Sequence, residues 1–277
     1  MGMSSMQQTA IIDVIQKTAP LALAAPWDNS GVQVAGEKAE VTRLALTLDP
    51  TPAAIAAALE WGAQCIVSHH PLLLKPRLPN KLDGYHAVLR SLFAAGATLY
   101  AAHTSLDCNP CGPVGWLGQE LDLANTRVLE ATGTLPEGLE GAGSPCGFGL
   151  VGDMPREVTL EQLLVLLQHH IALDTAALCG PTPGSIRRVA YCTGAGASLC
   201  GLAAEAGADV FITGDVKHHA ALDATIPTLD VGHHSLEEEM MRRFAQQLAR
   251  ELAQVEVRFV ASTAPLKPVP LAHQERK

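Results

Sequence analysis

Two hydrophobic patterns alternate along this chain. Short apolar or alternating runs, rich in Val, Ile, Leu and Cys, recur at 43–48, 64–67, 98–102, 148–151, 188–192, 209–213, 226–231 and 255–261. Gly, Pro or Asp flank most of them, which is how strands are punctuated. Between them, apolar residues fall at helical spacing over 8–18, 52–61, 85–95, 160–169, 199–206 and 235–252. Strands alternating with helices predict βαβ units and a largely parallel sheet.

The Gly- and Pro-rich stretch 132–147 marks a boundary, after which the pattern starts again. A shift of 145 places Arg43-Leu-Ala-Leu on Arg188-Val-Ala-Tyr, and Gly62-Ala-Gln-Cys-Ile-Val-Ser on Gly207-Ala-Asp-Val-Phe-Ile-Thr. Generic βαβ units share some of this, but agreement at separate elements in one order favours a repeat. The expected fold class is therefore α/β, with two related α/β domains and internal pseudo-symmetry. Residues 1–131 plus 226–277 are expected to form the first domain and 132–225 the second. The Pro-rich tail beyond Thr263 is expected to be loosely held.

Composition narrows the function. The 277 residues are 48% apolar but only 4% aromatic, so the core must be built from Ala, Leu and Val. Formal charge is 19 − 28 = −9. An acidic surface repels phosphate backbones and argues against broad nucleic-acid binding. No apolar run reaches the roughly 18 residues of a membrane span. Residues 1–7 are polar and lack a signal-peptide pattern. The seven cysteines are an odd number, and several sit in apolar runs, as buried thiols do. A cytoplasmic location is expected.

The chemistry gathers at strand ends. One apolar run ends in Val67-Ser68-His69-His70-Pro71 and another in His103-Thr104-Ser105-Leu106-Asp107. A third ends in His233-His234-Ser235-Leu236-Glu237. Imidazole and carboxylate suit zinc, iron(II) and manganese. Three such ends suggest a metal site, and the number of ligands suggests more than one ion. Adjacent histidines on an ideal strand face opposite ways, but with Pro71 turning the chain they can reach two neighbouring ions. The alternative is a solvated pair in a loop. Two cations a few ångström apart, about 3.5–4 Å in known sites, call for a bridging carboxylate, Asp107 or Glu237. Helix-dipole complementarity alone explains acids at 237–239, but not the histidine four residues earlier. A shift of 130 superimposes His103 on His233, so His103 is either a ligand or a group that orients one.

Lys217 and His219, in Gly214-Asp215-Val216-Lys217-His218-His219, are candidates to bind an anionic substrate or to transfer protons. The alternative is a helix start capped by Asp215. Cys108 and Cys111 have CxxC spacing but no second pair, and read as incidental. His169-His170 reads as a solvated helix end.

These motifs, together with Trp27-Asp28-Asn29-Ser30-Gly31-Val32, occur in the order found in a known family. The chain resembles the NGG-interacting-factor-three-like proteins with a dinuclear metal centre, some of which are named GTP cyclohydrolase 1 type 2. The likeness runs from about Ile12 to Ala261. It implies two α/β domains without the third domain that some relatives insert, and a toroidal homohexamer with metal sites facing inward. Carried over by position, His69, His70, Asp107, His233 and Glu237 would hold two divalent transition-metal ions (Zn, Fe or Mn), with Glu237 touching both and His103 close by. The chain departs from the family at Cys108 and Cys111, and at His234, where an aromatic is frequent. The leading expectation is a dinuclear metal-dependent hydrolase opening the imidazole ring of GTP, or of another purine nucleotide, with release of formate. Lys217 and His219 would stabilise developing charge. Neither a P-loop nor a guanine-reading motif is legible. The alternatives are a metal-binding regulatory or scaffold protein without turnover, and a two-metal phosphoester hydrolase.

Overall fold

A computed structural model describes residues 4–269. Its two main sheets follow from the two sets of apolar runs. One has five strands in the order Glu256–Phe259, Arg43–Thr47, Cys65–Ser68, Thr98–Ala101 and Gly31–Val34. Only the last pairing is antiparallel. The other has six, in the order Ala124–Thr134, Pro145–Val158, Ile186–Tyr191, Val210–Thr213, Thr228–Asp230 and Ala177–Cys179. Its three central strands are parallel and the rest antiparallel.

The internal repeat extends to register. Leu44 pairs with Cys65 and Val189 with Val210, each position displaced by 145. Side chains repeat too. Gln64 Oε1 accepts from the Arg43 backbone N–H at 2.9 Å, and Asp209 Oδ2 accepts from that of Arg188 at 2.7 Å. The Arg43 guanidinium donates to the Trp61 carbonyl, and that of Arg188 to the Ala206 carbonyl. Each half is two α/β layers of common plan.

Strand alternation sorts the core. Leu44, Leu46, Val67 and Tyr100 from one sheet, and Val189, Tyr191 and Ile212 from the other, face a single shared core. The intervening residues Ala45, Ile66 and Leu99 face the opposite side, where helices Pro52–Glu60 and Gly84–Ala95 cover them. Ala190 and Phe211 turn likewise to helix Cys200–Glu205. Helices Gln8–Thr18 and His233–Glu251 contribute to the shared core.

The stretch 132–147 is not a linker. It forms the tip of a long hairpin, Ala124–Thr134 with Pro145–Val158, that extends the second sheet. Gly and Pro there turn the chain back on itself rather than separating domains. The strand Thr228–Asp230 also belongs to the second sheet. Sheet membership thus points to 124–230 as the second unit, which we propose in place of 132–225. Tail residues 262–268 line a surface cavity; the part of the tail beyond 269 lies outside the described residues.

Candidate metal centre

The carboxyl ends of the parallel strands in both sheets converge, the usual position for ligands in open α/β folds. Strand Cys65–Ser68 runs into His69 and His70, and Thr98–Ala101 leads to His103. Asp107 ends the single turn Thr104–Asp107. His233 and Glu237 begin helix His233–Glu251, one turn apart. The strand stops at Ser68, so strict alternation no longer separates the histidine pair. Leu48 O receives both the His69 and His70 N–H groups, and the two rings lie 5.0 Å apart.

Each ring is fixed by its Nδ1. His69 donates to the Ala102 carbonyl at 2.9 Å, and His70 to Asp49 at 2.7 Å. His103 donates to Asp28 at 2.6 Å, and His233 to Asp215 at 2.8 Å. A neutral imidazole donating through Nδ1 leaves a lone pair on Nε2, and those of His69, His70 and His233 meet around one carboxylate. Glu237 Oε1 lies 3.5 Å from His69 Nε2. Glu237 Oε2 lies 3.2 Å from His70 Nε2 and 3.0 Å from His233 Nε2. The two latter nitrogens are 3.2 Å apart. Asp107 Oδ1 stands 3.7 Å from His69 Nε2 and accepts from the Thr193 hydroxyl.

This arrangement needs positive charge. With the three rings neutral, His69 Nε2 and Glu237 Oε2 are buried acceptors with no donor between them. Buried lone pairs facing one another are costly unless a cation or proton lies between them. Ligand atoms of His69, His70 and His103 gather within 4.8 Å of one another, as do those of His70, His233 and Glu237. No thiol joins either group among the described residues. The all-nitrogen-and-oxygen donor set and the anchored Nδ1 atoms fit a borderline divalent metal.

The protonation balance agrees. Burial opposes charge on His70, yet hydrogen bonds to Asp49 and Glu237 push it up to about 10. His233 rises to about 9, chiefly through its hydrogen bond to Glu237. Burial would raise Glu237, but the charge of His69 and hydrogen bonds from the three histidines hold it well below the usual carboxylate range. Burial pushes Asp107 up, with His69 pulling the other way and Glu237 adding to the rise.

The second half contributes backbone rather than ligands. A Cβ built on Gly194 would collide with Glu237 Oε1, and one on Gly214 with the His233 backbone. Only glycine lets these loops come so close. Asp215 holds a left-handed φ of 56°, strained for a non-glycine residue.

Sequence reasoning placed six residues here, His69, His70, His103, Asp107, His233 and Glu237, and they do come together. Lys217 and His219 do not. Both are exposed, at the start of helix His218–Leu222, and neither lines the cleft over the cluster. Asp215 does not cap that helix, whose N-cap position is Lys217; its carboxylate serves His233 instead. His234 turns away to Ser262 and Glu238. Sequence reasoning missed Asp49, and gave Asp28 no role. The legible signal for Asp49 was an acid directly after an apolar strand.

The sequence profile of the Duf34/NIF3 (NGG1p interacting factor 3) family matches residues 6–265. A Clostridium perfringens relative called GTP cyclohydrolase 1 type 2 homolog is 28% identical, over 93% of this chain and 96% of its own. NIF3-like protein 1 of Drosophila melanogaster is 29% identical, over 93% and 87%. Among solved structures, reduced HcgD from Methanocaldococcus jannaschii superposes with a TM-score of 0.78 at 26% identity, covering 94% of this chain and 99% of that one.

Proposed function

This chain belongs to the Duf34/NIF3 family, and from that premise we propose that it is a hydrolase dependent on two divalent transition-metal ions, zinc, iron or manganese. The observation that carries this reading is the division of Glu237. Its Oε1 faces His69, and its Oε2 faces His70 and His233. One ion would be held by His69 and Asp107 on the Oε1 side, the other by His70 and His233 on the Oε2 side. Glu237 would touch both and offset their repulsion. His103, bound to Asp28, stands near both His69 and His70. Bound ions supply Lewis acidity and ionise water near neutral pH. Asp49, Asp215 and the Ala102 carbonyl hold the rings in the tautomer that presents Nε2.

The names of curated relatives point to GTP. Two hydrolytic C–N cleavages in its imidazole ring would release the carbon between the nitrogens as formate. Lys217 and His219 are left without a part in this step, because they lie outside the cleft. The test is formate release from GTP by metal-loaded protein, with Glu237→Gln as control. Formate from the native protein alone supports the reading. A fully loaded protein that releases none contradicts it, in favour of a regulatory scaffold; phosphate release instead would favour phosphoester hydrolysis. We further propose a cytoplasmic homohexamer, on the family likeness. Among the described residues, no helix is long and apolar enough to cross a membrane.

A further inference from the structure

The centre forms the floor of a cleft of about 570 Å³, a size typical of small-molecule sites. Two groups on its walls have no part in holding metal. The first is Trp27, 62% exposed at the mouth. Its mounting is rigid. The next residue, Asp28, accepts hydrogen bonds from His103 Nδ1, the Ser30 hydroxyl and the Thr104 hydroxyl, each at 2.6 Å. The indole meets the His103 ring edge-on, with centroids 5.9 Å apart. An exposed indole fixed beside the centre forfeits burial of a large apolar surface. A flat ligand laid on it would recover that burial.

The second group is Glu130. It pairs with Phe148 across the long hairpin, and both line this same cleft. The Glu130 carboxylate has no hydrogen-bond or ion-pair partner among the described residues, and no Lys or Arg lines the cleft. An ionised carboxylate only accepts hydrogen bonds. The walls therefore offer an aromatic face and an acceptor. They offer no cation for a phosphate chain.

We propose that the cleft takes a planar heteroaromatic ring with N–H donors along one edge, stacked on Trp27 and read at that edge by Glu130. The proposal rests on the reading of the floor as a metal centre, and it is independent of turnover. A guanine-type edge, with adjacent ring and exocyclic N–H groups, suits a carboxylate in two-point contact.

The test is calorimetric titration of the metal-loaded full-length chain with guanosine, inosine and ribose 5-phosphate. Guanosine is expected to bind more tightly than inosine, which lacks the exocyclic amine, by roughly 10-fold, the worth of one hydrogen bond to a charged acceptor. Glu130→Gln should abolish that preference. Trp27→Ala should weaken both nucleosides by about 10-fold, as loss of base stacking does, while Trp27→Phe keeps most of the affinity. Equal binding of guanosine and ribose 5-phosphate would overturn the proposal. So would unchanged guanosine affinity in Trp27→Ala, and if light scattering then showed an altered mass the indole would be a subunit contact. Guanosine bound as expected by a protein that releases no formate would sink the hydrolase reading and leave this one standing.

Discussion

At the scale of single residues, the arrangement ranks the ligands. Glu237 faces His69 through Oε1 and His70 and His233 through Oε2, whereas among the described residues His103 makes its ion pair with Asp28 and none with Glu237. Glu237→Gln should therefore lose metal more completely than His103→Ala, for which roughly 10–100-fold weaker binding is expected if the ring only orients a ligand. Elemental analysis after dialysis reads the difference, and equal losses would put His103 in direct contact with an ion. Protons compete for the same atoms. His70 and His233, raised to about 10 and about 9, hold protons at neutral pH in the metal-free centre. Metal loading must expel those protons. Affinity for zinc should thus climb with pH and level off as pH passes these values. Calorimetry in buffers of different ionisation heat should show proton release near pH 7; heats independent of the buffer would mean that neutral rings await the ion.

At the scale of elements, helix His233–Glu251 joins site to core. An apolar stripe can pack on its own chain or on a partner. The structure buries Met240, Met241, Phe244 and Leu248 in its own shared core, so the stripe gives no independent reason to oligomerise. Phe244→Ala should cost about 3–5 kcal/mol, read by urea unfolding. Because this helix carries His233 and Glu237, the same variant should bind metal more weakly. Most elements were legible because each apolar run matched one strand or helix, and the clustered ligands because each followed such a run. The first strand of the long hairpin was not legible. Strand Ala124–Thr134 is exposed or half-buried along its length, and its core contacts at Val128 and Leu129 are adjacent in sequence, which leaves no hydrophobic alternation to read. Asp49 and Asp28 escaped for a related reason. Asp49 does follow an apolar run, as the ligands do, but the histidines that give it and Asp28 their roles lie 21 and 75 residues away, and no local pattern encodes that pairing.

At the scale of the whole molecule, both sheets aim their strand ends at one place, so neither half holds a complete site. The first half brings His69, His70, His103 and Asp107, and the helix after the second sheet brings His233 and Glu237. Loops at Gly194 and Gly214 press on that helix. Light scattering should give six times the 29.1 kDa of one chain if the family likeness extends to assembly. A stable monomer at micromolar concentration, where obligate oligomers persist, would rule out the ring. Alanine for Gly194 should leave the sheets folded, as circular dichroism would report, while reducing metal content through its clash with Glu237.

The scatter of ligands along the chain also has a meaning in time. His69 precedes Glu237 by 237 − 69 = 168 residues. At about 5–20 residues per second, a ribosome needs roughly 10–30 s to cover that distance. Through that interval the histidines of the first half would stand without Glu237, the carboxylate proposed to bind both ions. On the proposed metal centre, loading would be deferred until helix His233–Glu251 has been made and closes the site.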